Sequence, residues 1–272
     1  MIAWTLKLWR TAGAAAAVGL TACGGEGGEN QGEAGEAGER AVHGEAGEAA
    51  NSVAGGEQGE AAIGESGGEH GEAGVSSAYA GISGDQRTAL RLQHLKGFLL
   101  VAARVNQSGA SDEARVLVQQ GLLEVYDPAT DQFGALDPAS VRAAGAALTG
   151  SNLQAAERAL DAARPSQTDY AALAVSMVDI STGLYKGVVQ DDFIDPVEYQ
   201  HSLGAALAAR DALIAGRQGL RARNARAYDD GLAELDRFAA LWPAAAAPAR
   251  PAAYRDVLAQ SSRVRLALSP LL

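Results

Sequence analysis

Asp195-Pro196-Val197-Glu198-Tyr199-Gln200-His201-Ser202-Leu203-Gly204-Ala205-Ala206-Leu207, running on to Ile214, is the stretch whose reading decides the fold. An aspartate followed by proline is an N-cap followed by the first helical position, and Glu198 then falls at N3, where a carboxylate favours the helix start. Leu203, Leu207 and Ile214 follow at helical steps. Similar start signals lie on both sides of it. Upstream, Asp85 opens a helix carrying Leu95, Phe98, Leu99, Ala102 and Val105. Ser111-Asp112-Glu113 opens a second, ending near Asp127-Pro128, and Asp137-Pro138 opens a third. Ser151-Asn152-Leu153-Gln154 reads as a capping box for a short fourth. Thr168-Asp169 opens a fifth, with Met177, Ile180, Leu184 and Val188 on one face. Downstream, a seventh runs from about Leu220 to Trp242 with Tyr228, Leu232, Leu235 and Ala239 in register, and a last one follows Pro251 with Tyr254, Val257, Val264 and Leu268.

No period-two strand competes with these stripes. Ala and Leu dominate, and β-branched runs are scarce, which favours helix over strand. The predicted fold is all-α: one bundle or array of about seven to eight helices over residues 85–272, long enough for a real core. The offsets of a tetratricopeptide repeat are missing. Gly97, Gly145, Gly183 and Gly204 fall inside predicted helices, where they would let neighbouring helices approach closely.

Ahead of the helices the composition changes abruptly. Residues 24–74 are a Gly/Glu segment with twelve Glu and one Arg, so the acidity of the chain is concentrated there. Such a segment buries too little apolar surface to offset its chain entropy, and residues 23–84 are expected to be a disordered tether. A coil of that length reaches about 40 Å. Gly at intervals of three is no collagen signature here, because the segment has no proline. Gly64-Glu65-Ser66-Gly67-Gly68 matches a nucleophile elbow in letters only, lacking the flanking strand and helix. His43 and His70 with the Glu run could chelate divalent cations only weakly, since a floppy chain loses entropy on binding.

Still earlier, Lys7 and Arg10 precede a short apolar run that ends in Leu20-Thr21-Ala22-Cys23, and Cys23 is the only cysteine. The run is shorter than the roughly 20 residues a membrane span requires. Leu20 does not suit the small-residue pattern of the general signal peptidase. The segment resembles a bacterial lipoprotein signal with its lipobox. The resemblance implies a signal peptide over residues 1–22, a diacylglycerol on the Cys23 sulfur, and a mature chain that starts there. It implies a membrane anchor and a periplasm-facing place in the cell envelope. Gly24, not an acidic residue, follows the cysteine, which favours the outer membrane over the inner.

For chemistry, the richest constellation is Glu198 and His201, which stand three apart on one helix face. Glu-x-x-His is the spacing of di-iron carboxylate bundles, where a carboxylate and an imidazole on adjacent turns reach one metal. A di-iron centre needs a second such pair. The other histidine of the helical region is His94, and Arg91 stands three residues before it. That leaves a mononuclear site of His94, Glu198 and His201, provided their helices touch, as the metal alternative. Against it, Asp195 as N-cap with Glu198 at N3 is a capped helix start in its own right. Arg217, Arg221, Arg223 and Arg226 form part of a basic face suited to anionic headgroups, a cell-wall polymer or an acidic partner, or simply a solvated face. No cysteine nucleophile, P-loop or dinucleotide fingerprint is present, no catalytic or cofactor-binding residues stand out, and net acidity argues against nucleic acid.

The helical region, with His94-Leu95-Lys96-Gly97 and Glu198-Tyr199-Gln200 behind a Gly/Glu/His-rich tether, resembles a group of uncharacterised bacterial lipoproteins. The resemblance implies further histidines near residues 116–126, where this chain has none. The imelysin-type periplasmic proteins are another helical comparison, but their His-x-x-Glu motif is absent. The expected function is a membrane-anchored lipoprotein presenting a non-catalytic binding or scaffolding domain to an envelope protein or cell-wall partner. The alternative is periplasmic handling of iron, copper or zinc.

Overall fold

A computed structural model describes residues 75–190 and 193–272. Cys23, the lipobox and the Gly/Glu segment lie outside the described residues. The fold is an all-α bundle. Eight α-helices of eight residues or more lie within the described residues: α1 (Gly84–Gln107), α2 (Ser111–Gly121), α3 (Ala139–Ala146), α4 (Gly150–Ala162), α5 (Tyr170–Tyr185), α6 (Pro196–Ala215), α7 (Arg217–Ala239) and α8 (Tyr254–Leu268). A π turn at Leu122–Tyr126 and a 3₁₀ turn at Asp127–Gln132 extend α2 to the aspartate-proline pair at 127–128. Between α5 and α6 the chain forms a two-residue antiparallel ladder, β1 (Val189–Gln190) on β2 (Phe193–Ile194).

Caps explain most of the boundaries. The Asp195 carboxylate accepts from the Val197 and Glu198 amides, and Asp169 does the same for Ala171 and Ala172. Asp137 accepts from the Ala139 amide at the start of α3. One expected cap moves: the α4 cap is Thr149, whose hydroxyl accepts from the Asn152 amide, and Ser151 lies inside the helix. A Ser at 151 fits the capping-box pattern, but a β-branched Thr in extended backbone two residues earlier takes the role. The long helix expected over 220–242 starts at Arg217 and is interrupted at Asn224, whose backbone is extended and whose side chain caps the Ala227 amide.

α5 and α6 form the central hairpin and share the largest helix–helix contact of the bundle. α6 is buried almost all round, from Tyr199 through Leu213. The wide burial comes from alanines; Leu207 is only partly buried, and Ile214 is 40 % exposed. A helix surrounded on all sides needs small residues so that several neighbours can reach it. The expected stripes of α1 and α5 are buried as read, whereas Tyr254 of α8 faces solvent.

α1 crosses α6 at Gly97 and Gly204. A Cβ on Gly204 would lie 2.7 Å from the Gly97 carbonyl oxygen, and one on Gly97 would lie 3.0 Å from the Gly204 carbonyl oxygen. Backbone faces backbone, so no flexible side chain can yield. The core also begins before α1. Residues 75–79 form a helical turn, and Ala78 and Tyr79 are buried against the bundle.

Gly204→Ala is therefore expected to destabilise the bundle by about 2 kcal/mol or more, as overpacking against an immovable wall does. Gly219→Ala, in α7 with open space around it, is expected to be neutral or to stabilise by up to about 1 kcal/mol through helix propensity. Urea midpoints of the two variants measure the contrast.

Candidate functional site

The glycine crossing creates two polar sites. On one side, His94 and Phe98 of α1 meet His201 of α6. The Phe98 ring packs against both imidazoles, 5.8 Å from His94 and 4.8 Å, edge-on, from His201. His94 Nδ1 shares a 3.1 Å hydrogen bond with the Tyr79 hydroxyl. His201 Nε2 donates to Gln120 Oε1 at 3.4 Å, since an amide oxygen only accepts. That leaves Nδ1 without its proton, 4.0 Å from Glu124 Oε2. With a neutral ring this approach is no ion pair.

Both imidazoles are held neutral. Burial, then His201 and Arg91, push the His94 pKa down to about 3. Burial alone pushes His201 down to about 4. A neutral, buried imidazole bonded through one nitrogen is an ordinary core histidine as far as stability goes.

On the other side, Lys96 is 5 % exposed and its ammonium lies 2.9 Å from Asp161 Oδ1 and 2.8 Å from Asp211 Oδ2. Burial would lower its pKa, but Asp211 and Asp161 outweigh that and raise it. Gln93 donates to the Ala208 carbonyl and to Asp211, at 2.7 and 3.0 Å. Arg164 also pairs with Asp161. The group ties α1, α4 and α6 together and holds its cation as a fixed charge.

Of the predicted metal residues, His94 and His201 share the Phe98 cluster, and the Glu198 side chain borders Gly187 just beyond α5. No group of three His, Cys, Asp or Glu side chains among the described residues is arranged to hold a metal ion. Asp195 caps and Glu198 occupies the first turn, as the capping alternative has it. Tyr199 donates to the Ala244 carbonyl. The arginine face is also largely engaged: Arg221 pairs with Asp229, Arg226 with Asp230, and Arg223 donates to the Leu271 carbonyl. The kink at Asn224 divides the four arginines between two helical segments.

Tyr79, Gln120 and Glu124 escaped sequence reasoning. Tyr79 belongs to a stretch assigned by composition to the tether, and no local pattern marks the other two. Arg91 stood out only as the residue that spoils a second Glu-x-x-His, yet it lines the same cleft as His94.

No protein-family model matches the chain, and no curated protein or solved structure matches it either.

The neutral histidines make the fold acid-sensitive. Their folded pKa values lie below the unfolded value, so the unfolded chain takes up protons first as pH falls below about 6.5. Stability is full above that pH and declines toward pH 4. At pH 5 the expected loss is on the order of 2 kcal/mol per histidine. Urea melts at pH 7.5 and 5 test this, with His201→Gln expected to remove about half of the difference.

Proposed function

We propose that the chain is a membrane-anchored bacterial lipoprotein whose helical bundle is a non-catalytic binding or scaffolding module in the cell envelope. The observation that carries the anchor is Leu20-Thr21-Ala22-Cys23 behind a short basic and apolar leader, with Cys23 the sole cysteine. Lipid on that sulfur ties the domain to the membrane, and the 51 residues that follow, rich in Gly and Glu, give the domain reach beyond the membrane surface. One acyl chain binds a membrane only reversibly, whereas two or more hold it stably. Among the described residues no helix is long and apolar enough to cross a membrane.

The module reading draws support from where the polar side chains are used. Gln93, Lys96, Asp161, Asp211 and His201 bond across helices, which rigidifies a platform. For the metal-handling alternative, no group of three His, Cys, Asp or Glu side chains among the described residues is arranged to hold a metal ion.

In a bacterial host fed labelled palmitate, the wild-type chain is expected to carry label and to sediment with membranes. Cys23→Ala is expected to lose both properties. Label or membrane retention in Cys23→Ala would overturn the anchor.

A further inference from the structure

Four arginines of the domain stack on tyrosine rings: Arg91 on Tyr79, Arg142 on Tyr126, Arg164 on Tyr170 and Arg221 on Tyr228. Three of them also pair with an aspartate, namely Asp127, Asp161 and Asp229 in turn. Arg91 is the exception. Its guanidinium carbon lies 4.6 Å from the Tyr79 centroid, the shortest of the four distances. Its Nε is buried with no hydrogen-bond partner. The stack fixes the guanidinium plane, and the half-buried side chain lines a cleft from which a ligand can reach it.

Arg91 lines a cleft of about 320 Å³ together with Tyr79, His94, Glu124 and the apolar Val75 and Val125. That volume stands at the lower end of the roughly 300–1,000 Å³ typical of small-molecule sites. We propose that this cleft binds a small monocarboxylate, with Arg91 taking the carboxylate and the two valines its short apolar substituent. A planar guanidinium matches a carboxylate through two parallel hydrogen bonds. Glu124 in the same cleft opposes anions in general, and multiply charged ones such as phosphates and dicarboxylates most strongly. His94 is neutral and adds no competing charge. The site does not depend on lipid at Cys23, and the anchor and the cleft can fail separately.

The test uses the full chain purified in detergent, titrated calorimetrically with hexanoate, and with hexylamine and inorganic phosphate for comparison. Hexanoate is expected to bind saturably at one site. Arg91→Gln is expected to weaken it by about tenfold or more, as loss of a charge-assisted bond does, and Arg91→Lys to weaken it less. The His94 ring resonances of the wild-type chain are expected to shift with hexanoate and not with hexylamine. Thermal melts establish that the variants are folded, and the His94 signal tests the site without any change at Arg91. Absence of both saturable heat and a His94 shift would overturn the proposal. So would equal binding in Arg91→Gln, or phosphate binding more tightly than hexanoate.

Discussion

The approach of α1 to α6 at Gly97 and Gly204 is the constraint on which the rest of the bundle depends. Each carbonyl oxygen occupies space that the other helix's Cβ would claim. The contact fixes both the distance of the helices and their register. Because the two run antiparallel, moving one turn toward the start of α1 means moving one turn toward the end of α6. Gln93 thereby meets Ala208 and Asp211, while Phe98 meets His201. Both polar clusters are set by one close approach, and a larger residue at either glycine would disturb both. The tight crossing also explains why α6 is so rich in alanine: α5, α1 and α7 all pack on it.

The two clusters handle burial in different ways. Lys96 keeps its charge because two carboxylates, each partly open to solvent, surround it. Removing one partner from such a group leaves an uncompensated charge and costs far more than the group contributes as a whole. The histidines give up their charge, and each is tied through one ring nitrogen, His94 to Tyr79 and His201 to Gln120. Phe98 packs against both rings. The bundle therefore has a charged contact on one face of the crossing and, on the other, a neutral one that weakens in acid.

Much of this was legible in the sequence. Aspartate caps at 137, 169 and 195 act locally, through a carboxylate reaching amides two or three residues on, so their signals survive folding. The apolar stripes of α1 and α5 were legible for the same reason, and Gly97 and Gly204 were among the glycines marked for close approach. The rest depends on distant residues. Thr149 displaced Ser151 as a cap through backbone geometry that composition does not encode. Asn224 interrupts α7 without a proline or glycine at the break. Whether Glu198 and His201 would share a target depended on what lay opposite each. Glu198 borders Gly187 and His201 packs on Phe98, and helical spacing says nothing of that. Tyr79 was lost for want of hydrophobic period: a five-residue turn is too short to show one.

The irregular stretches flanking the helices are held by donors from the core, and this is what places the cleft. Between α7 and α8 the chain is mostly alanine and proline, and Tyr199 and Tyr185 donate to the carbonyls of Ala244 and Ala252. The Trp242 indole donates to the Ser202 hydroxyl of α6. Backbone carbonyls outside helices are satisfied by such donors or by water. At the other end Arg87 plays the same part: its Nε donates to the Ile82 carbonyl at 2.7 Å and its Nη2 to the Tyr79 carbonyl at 3.3 Å. That clamp folds the turn at 75–79 back over α1, and the Tyr79 side chain then reaches both His94 and Arg91. Tyr79 is thus held by its own carbonyl, its hydroxyl and its ring at once. A wall fixed at three points has little freedom left to lose, and pre-organisation of that kind lowers the cost of recognising a small molecule.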